Sequence, residues 1–220
     1  MPQRPIKQIP AAAAASREFL SRFFHDLATP LSAVSLHLEI ADRRARRGND
    51  PSEPLAIARE ELSRTIDLFD RAREILLSPP LEEESIPFDN FVAELISRNT
   101  DNRVRVEGET GGCVRADRDA LSRALAELLA NALESAAGSP ISVERARQDG
   151  RLRVRIVNPG QLPAEDPEVL FSPRFAGEGK KWGMGLSRAR LDAAANGGTV
   201  SLDQCGDRVV AILDLPEETS

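Results

Sequence analysis

Two long stretches near the N-terminus repeat mostly apolar residues at alternating steps of four and three. The repeating positions are Leu20, Phe24, Leu27, Leu31, Val34, Leu38 and Ala41 in the first, and Leu55, Ala58, Leu62, Thr65, Phe69, Ala72 and Leu76 in the second. This heptad spacing predicts a seam along each of two continuous helices. We expect the first helix to follow an N-cap at Ser16 and to run to about Arg47, and the second to end at Ser78.

The link between these helices, from Gly48 to Pro51, is short and rich in helix-ending residues. It predicts an antiparallel helical hairpin. Apolar stripes this broad leave one side of the hairpin uncovered. We expect a homodimer, whose four-helix bundle would bury that side, with coverage by the C-terminal half of the chain as the alternative.

The rest of the chain changes its pattern. Alternating apolar and polar residues flank Asp149-Gly150, which is a strong signal for a two-residue β-hairpin turn. Asp117 is expected to cap an Ala/Leu-rich helix that ends at about Ala137. Other helices are predicted at residues 89–98 and 186–195, and strands near residues 104–106, 141–146, 152–157, 199–202 and 209–213. The fold class is therefore α+β, with the hairpin followed by a domain that has helices on one face of a largely antiparallel sheet.

These patterns divide the chain into four parts. Residues 1–15 are expected to form a flexible arm, residues 16–80 the helical hairpin, residues 81–87 a charged linker between prolines, and residues 88–220 the α+β domain.

Composition narrows the classes of function. The 29 basic residues are outnumbered by 35 acidic ones, and aromatic residues make up 4% of the chain, so nucleic-acid binding by charge or base stacking is not expected. The sequence has no stretch of about 20 apolar residues that would insert into a membrane, and we expect a cytoplasmic location. Two cysteines and two histidines do not form a familiar zinc site.

The first candidate for chemistry is the pair His25 and Asp26 on the first predicted helix. A neutral imidazole is a nucleophile near pH 7, and a carboxylate that accepts a proton from one ring nitrogen strengthens the other. Pro30 removes a backbone donor and is expected to bend the helix nearby. An isolated His-Asp pair on a helix is more often an ordinary solvated pair. His37 lies about 120° around the helix from His25 and is not expected to share its function.

Two further segments suit a bound phosphate group. Glu127 and Asn131 are four residues apart on one helix face, and their oxygens suit a hydrated Mg²⁺. Ahead of the last helix, four glycines and two lysines could bind phosphate through backbone amides and positive charge. These residues are Gly177, Gly179, Lys180, Lys181, Gly183 and Gly185. Each segment also has a simpler explanation, as an amphipathic helix surface or as a flexible loop.

Taken in order, these segments resemble the transmitter core of bacterial two-component sensor histidine kinases. HDLATPL from His25 resembles the phosphoacceptor box and ELLANALESA from Glu127 the asparagine box. VNPGQLP from Val157 is similar to the first glycine box, LFSPRF from Leu170 to the phenylalanine box, and GMGLSRARLDAAANGGTV from Gly183 to the second glycine box. The similarity covers about residues 16–215.

The resemblance implies a dimerisation and phosphotransfer hairpin followed by a gyrase-type ATP-binding domain. His25 would take the γ-phosphoryl group of ATP and pass it to an aspartate of a response-regulator receiver domain. Asp26 would be the activating base, and the Thr29 hydroxyl could position a water for dephosphorylation of the partner. Asn131 would hold Mg²⁺. ATP would contact Glu127, Asn131, Asn158, Gly160, Lys180, Lys181, Gly183, Gly185 and Leu186.

The chain departs from the family pattern at several positions. Asn158 replaces the adenine-binding aspartate, and only Gly160 remains where the first glycine box usually has two glycines. The segment between Phe175 and Gly183 is short for an ATP lid, and Asn196 stands where histidine is common. Glu127 matches the water-activating glutamate of gyrase-type ATPases, so ATP hydrolysis is a minor possibility.

Three functions follow. The leading hypothesis is a soluble histidine kinase core. The second is a histidine phosphotransferase that keeps a degenerate ATP-binding domain and takes phosphate from another protein, and the third is a non-catalytic module that sequesters a response regulator.

Overall fold

The computed structural model describes residues 11–77, 82–98, 103–171 and 184–219. The chain divides into two compact units, a helical hairpin and an α+β domain. The expected fold class is confirmed for both.

The hairpin consists of α1 (Ala11–Arg46) and α2 (Ser52–Leu76). The turn between them lies where the sequence predicts it, and Gly48 has the positive φ of +74° that favours glycine. The predicted N-cap at Ser16 is wrong, because α1 already includes residues 11–16. The alanines ahead of Ser16 are the strongest helix formers and extend the helix. Residues 1–10 of the predicted arm lie outside the described residues.

The predicted seam positions fall into two sets that differ in their exposure to solvent. On α2, Ala58, Thr65 and Ala72 are buried at seven-residue spacing. The alternate seam positions of the two helices are 38–62% exposed; they are Phe24, Leu31 and Leu38 on α1, and Leu62, Phe69 and Leu76 on α2. The Phe23 ring packs between the helices, with its centroid 6.4 Å from that of Phe69.

The α+β domain has a five-stranded sheet in the order β2-β4-β5-β7-β6 and a two-stranded sheet of β1 and β3. Among the strands that the structure describes, only β2 and β4 pair in parallel. The strands are β1 (Glu83–Pro87), β2 (Val104–Glu107), β3 (Cys113–Asp117), β4 (Ile141–Gln148), β5 (Arg151–Pro159), β6 (Thr199–Cys205) and β7 (Arg208–Pro216). The helices are α3 (Phe88–Arg98), α4 (Arg118–Ser135) and α5 (Gly185–Ala195), with a 3₁₀ helix at Pro167–Phe171.

The predicted linker at residues 81–87 is wrong in its secondary structure. Residues Glu83–Pro87 form β1, which pairs antiparallel with β3, a strand that the sequence pattern did not predict. Within β1 only Ile86 is buried, so its sequence has no alternation to reveal a strand. The backbone N–H of Glu82 donates to the Asp117 carboxylate at 2.9 Å and helps to hold β1 in place.

The β4–β5 hairpin and α4 form as predicted. Asp149 and Gly150 both have positive φ, of 52° and 69°, as a two-residue turn of this type requires. Asp117 caps α4 by accepting a hydrogen bond from the backbone N–H of Ala120 at 2.7 Å. The turn and the helix cap could be predicted from the sequence because each depends on only a few adjacent residues.

One core fills the space between the helices and the inner face of the five-stranded sheet. Leu121, Leu128, Ile156, Leu213 and Leu215 are at most 1% exposed, and each such side chain contributes about 1.5–3 kcal/mol by leaving water. This layer fixes the position of α4 and α5, which carry most of the candidate site.

Asp89, in the first turn of α3, anchors the loop before β3. Its carboxylate accepts hydrogen bonds at 2.8 Å from the backbone N–H groups of Thr110 and Gly111. Burial opposes ionisation, but these N–H groups and the nearby charge of Arg145 outweigh it and hold the pKa of Asp89 below its usual value.

Candidate functional site

The His25 side chain projects into solvent from α1 and is 87% exposed. Its Nδ1 lies 3.1 Å from the Asp26 Oδ1. A carboxylate that accepts from Nδ1–H leaves the lone pair of Nε2 free on the other side of the ring. The pairing expected from the sequence is therefore present, and the free nitrogen is open to a second molecule.

Thr29 and Pro30 lie on the same continuous helix as His25. Thr29 is exposed one turn further along, and Pro30 is buried within the continuous helix. Ser32 Oγ donates to the backbone oxygen of Ala28 at 2.8 Å, so a side chain contributes a hydrogen bond near the proline.

A pocket of about 210 Å³ opens in the α+β domain between α4 and the inner face of the sheet. Three predicted site residues line it, namely Asn131 on α4, Asn158 at the end of β5, and Gly160 just after that strand. Apolar side chains line the rest, including Leu128, Ala132, Leu170, Leu186, Leu202 and Ala211. A mostly apolar pocket with a few polar groups is typical of a binding site for a small molecule.

Asn158 is 3% exposed, and its carboxamide has a defined orientation. Its Nδ2 donates to the backbone oxygen of Pro159 at 3.0 Å. The amide oxygen therefore remains as the acceptor that Asn158 can present to a ligand.

Glu127 and Asn131 meet the start of α5. A Cβ built on Gly185 would clash with Glu127 Oε2 and lie 3.8 Å from Asn131 Nδ2, so any larger residue at this position would displace the carboxylate. Asn131 Nδ2 is buried and has no hydrogen-bond partner within the described residues. A buried amide without a partner is costly unless a ligand completes it.

The oxygens of Glu127 and Asn131 fit Mg²⁺, which commonly takes one or two protein oxygens and completes its shell with water and phosphate. The described residues contain no group of three or more His, Cys, Asp or Glu that would hold a metal ion.

The 3₁₀ helix is fixed against α5 next to the pocket. The Arg190 guanidinium pairs with both oxygens of Glu168, at 2.7 and 2.8 Å, and lies 3.4 Å above the centre of the buried Phe171 ring. Ser187 Oγ donates to the Phe171 backbone oxygen at 2.5 Å. The sequence pointed to Phe171 only through the resemblance, and nothing in the pattern indicated Arg190, because an Arg-Glu pair 22 residues apart has no local signal.

The remaining predicted phosphate-binding residues lie outside the described residues. They are Gly177, Gly179, Lys180, Lys181 and Gly183. Of that segment, the structure describes Gly185 and Leu186, which begin α5 beside the pocket.

Residues 116–218 match the family model described as histidine kinase-, DNA gyrase B-, and HSP90-like ATPase. The sensor-like histidine kinase SenX3 of Mycobacterium tuberculosis is 29% identical over 208 residues, which are 85% of this chain and 50% of that protein. The chain is a homologue of the histidine kinase transmitter core. The chain spans about half the length of the curated relatives that it matches first.

Two solved structures share the fold of this chain. Histidine kinase ThkA, in complex with the response regulator protein TrrA, has a TM-score of 0.57 and 23% identity, over 91% of this chain and 61% of that one. Full-length ShkA in complex with AMPPNP has a TM-score of 0.58 and 16% identity, over 87% of this chain and 46% of that one. In the described part of the chain, no helix is both long enough and apolar enough to cross a membrane.

Proposed function

We propose that this chain is a histidine kinase core that transfers the γ-phosphoryl group of ATP to His25 and then to an aspartate of a response-regulator receiver domain. The observation that carries the proposal is the pocket that brings Asn131, Asn158 and Gly160 together in a domain of the ATPase family. The apolar lining would hold the adenine ring, and the two asparagine amides would offer hydrogen bonds to adenine and to the first phosphates of ATP.

His25 suits the role of nucleophile. Asp26 holds the Nδ1 side of the ring, so Nε2 is the atom that would attack phosphorus while the bond to the leaving ADP oxygen breaks. As Nε2 gains the phosphoryl group the ring becomes positively charged, and the adjacent carboxylate stabilises that charge. Thr29, exposed one helical turn away, would orient a water that hydrolyses the aspartyl phosphate of the partner and releases inorganic phosphate.

ATP would enter with its adenine against Asn158 and its phosphates toward Asn131 and the start of α5. The amide oxygen of Asn158 accepts from the adenine amino group, and the unpaired Nδ2 of Asn131 donates to a phosphate oxygen. Glu127 and Asn131 would hold Mg²⁺, whose charge offsets that of the phosphates when it is bound. Lys180, Lys181 and Gly183 complete the phosphate contacts in this proposal.

The partners follow from the hairpin and from the relatives. The ThkA structure contains a response regulator, TrrA, which supports a receiver domain as the phosphate acceptor of this chain as well. The exposed seam residues of α1 and α2 support a homodimer, since a second copy would bury them in a four-helix bundle.

The proposal is tested by labelling with ATP. The protein, His25→Gln and the matched control His37→Gln are incubated with [γ-³²P]ATP and Mg²⁺. We expect acid-labile label on the wild type and on His37→Gln, and none on His25→Gln. A folded wild type that takes no label, or label that persists in His25→Gln, contradicts the proposal. If His25 is instead labelled only from a phosphorylated receiver domain, the chain is a phosphotransferase.

A further inference from the structure

Gln204, near the end of β6, makes hydrogen bonds to two separate segments of backbone. Its Oε1 accepts from the backbone N–H of Leu162 at 2.8 Å. Its Nε2 lies 3.2 Å from the oxygen of Gly160, 2.9 Å from that of Gly206 and 3.1 Å from that of Arg208. An amide nitrogen carries two hydrogens, so three carbonyl groups share two donors.

These bonds tie the loop 160–162 to the β6–β7 turn. Two further contacts support the link, from Gly160 N–H to the oxygen of Asp207 at 2.9 Å and from Gln161 Nε2 to the oxygen of Gly206 at 3.2 Å. Gln204 is the one side chain within the described residues that bonds to both ends of the loop.

The tied loop forms one side of the pocket. Gly160, Gln161 and Leu162 line the pocket beside Asn158, whereas Gln204 does not line it. Gly160 has a φ of +140°. Glycine adopts positive and negative φ about equally readily, so the residue itself does not fix this conformation. The position of this side of the pocket therefore depends on contacts from outside the loop.

We propose that Gln204 is a positioning residue for nucleotide binding, which holds the loop 160–162 in the conformation that accepts the adenine end of the ligand. The role rests on the proposed ATP-binding function. Gln204 is exposed, so its hydrogen bonds compete with water and contribute little to global stability. Its effect falls on affinity, because a loop that must be ordered on binding costs free energy that a pre-formed loop does not.

The test compares Gln204→Ala with Asp203→Ala, an exposed neighbour whose side chain points to the opposite face of β6. In nucleotide-free protein, hydrogen exchange at the Leu162 amide should become faster in Gln204→Ala and stay unchanged in Asp203→Ala. The dissociation constants for ADP and ATP should rise together, by roughly three- to tenfold, in Gln204→Ala alone. The melting temperatures of both variants should stay close to that of the wild type.

A second variant, Gln204→Glu, keeps an acceptor for the Leu162 N–H but turns an oxygen toward three carbonyl groups. We therefore expect it to weaken the binding of ADP and ATP at least as much as Gln204→Ala does. Unchanged exchange at Leu162, or faster exchange with unchanged nucleotide affinity, overturns the positioning role. Faster exchange in a chain whose wild type binds neither nucleotide overturns the proposed function itself, and Gln204 is then only a structural link.

Discussion

Asn158→Asp introduces the aspartate that the resemblance implies at this position, yet we expect it to destabilise this domain. Asn158 is 3% exposed and donates through Nδ2 to the backbone oxygen of Pro159 at 3.0 Å. Replacing the amide nitrogen by a carboxylate oxygen removes that bond and places two acceptors against each other. The carbonyl of Pro159 thus gives a physical reason for asparagine at this position.

The size of the effect follows from these contacts. A lost hydrogen bond costs about 1 kcal/mol, and leaving buried acceptors unpaired adds about 1–3 kcal/mol. The burial and the facing carbonyl would raise the pKa of the new carboxyl, because its protonated form can again donate to Pro159. We therefore expect the free energy of unfolding at pH 7 to fall by about 2–4 kcal/mol.

Urea unfolding between pH 4 and pH 8 measures this loss. A carboxyl whose pKa is raised on folding binds protons more tightly in the folded state, so the deficit should be largest above its folded pKa and shrink toward pH 4. Asn90→Asp makes the same change of charge at an exposed position in α3 and should alter stability by no more than about 0.5 kcal/mol. If Asn158→Asp is as stable as the wild type at pH 7, or if its loss of unfolding free energy grows on acidification, the new carboxylate is not opposed by the Pro159 carbonyl.

Three other predictions concern the phosphate end of the pocket, acid stability and assembly. Gly185→Ala should push the Glu127 carboxylate aside and weaken ATP binding by about tenfold in calorimetry with little change in melting temperature, since a flexible side chain can move. Unaltered affinity would contradict this contact. Because folding lowers the pKa of Asp89, its ionised form stabilises the domain above the unfolded pKa of about 4, and this contribution is lost as the pH falls through the folded value. The stability difference between wild type and Asp89→Asn should therefore shrink below about pH 4 in urea titrations, and a constant difference would argue against it. The double change Leu62→Glu and Ile66→Glu, at two exposed apolar positions one turn apart on α2, should yield folded monomers in light scattering, whereas an intact dimer would show that this face of α2 is not the interface.

The elements that the sequence predicts well are those with a local signal. The β4–β5 turn depends on Asp149-Gly150 and the start of α4 on the Asp117 cap, and both form as expected. β1 escaped prediction because Ile86 is its only buried residue and its partner β3 lies about 30 residues further along the chain. Strand pairing over that distance depends on tertiary contacts that no short window of sequence contains.

The candidate site shows the same division. The spacing of Glu127 and Asn131 was sufficient to place both on one face of α4, and the structure adds that Gly185 meets them there. The orientation of Asn158 depends on its hydrogen bond to Pro159, and the position of the neighbouring loop depends on Gln204. Neither contact could be predicted from the residue types alone, because both depend on side-chain geometry. Motif order indicated where the site is, whereas only the fold indicates how each polar group is oriented.

Phosphorus NMR of the protein after incubation with ATP and Mg²⁺ can show directly whether His25 accepts the phosphoryl group. We expect one phosphoramidate signal, from phosphate on Nε2 of His25, because Asp26 holds the Nδ1 side of the ring. The signal should be absent in His25→Gln and present in His37→Gln. A folded wild type that consumes no ATP and shows no phosphoramidate, or a signal that survives in His25→Gln, would exclude His25 as the phosphorylated residue.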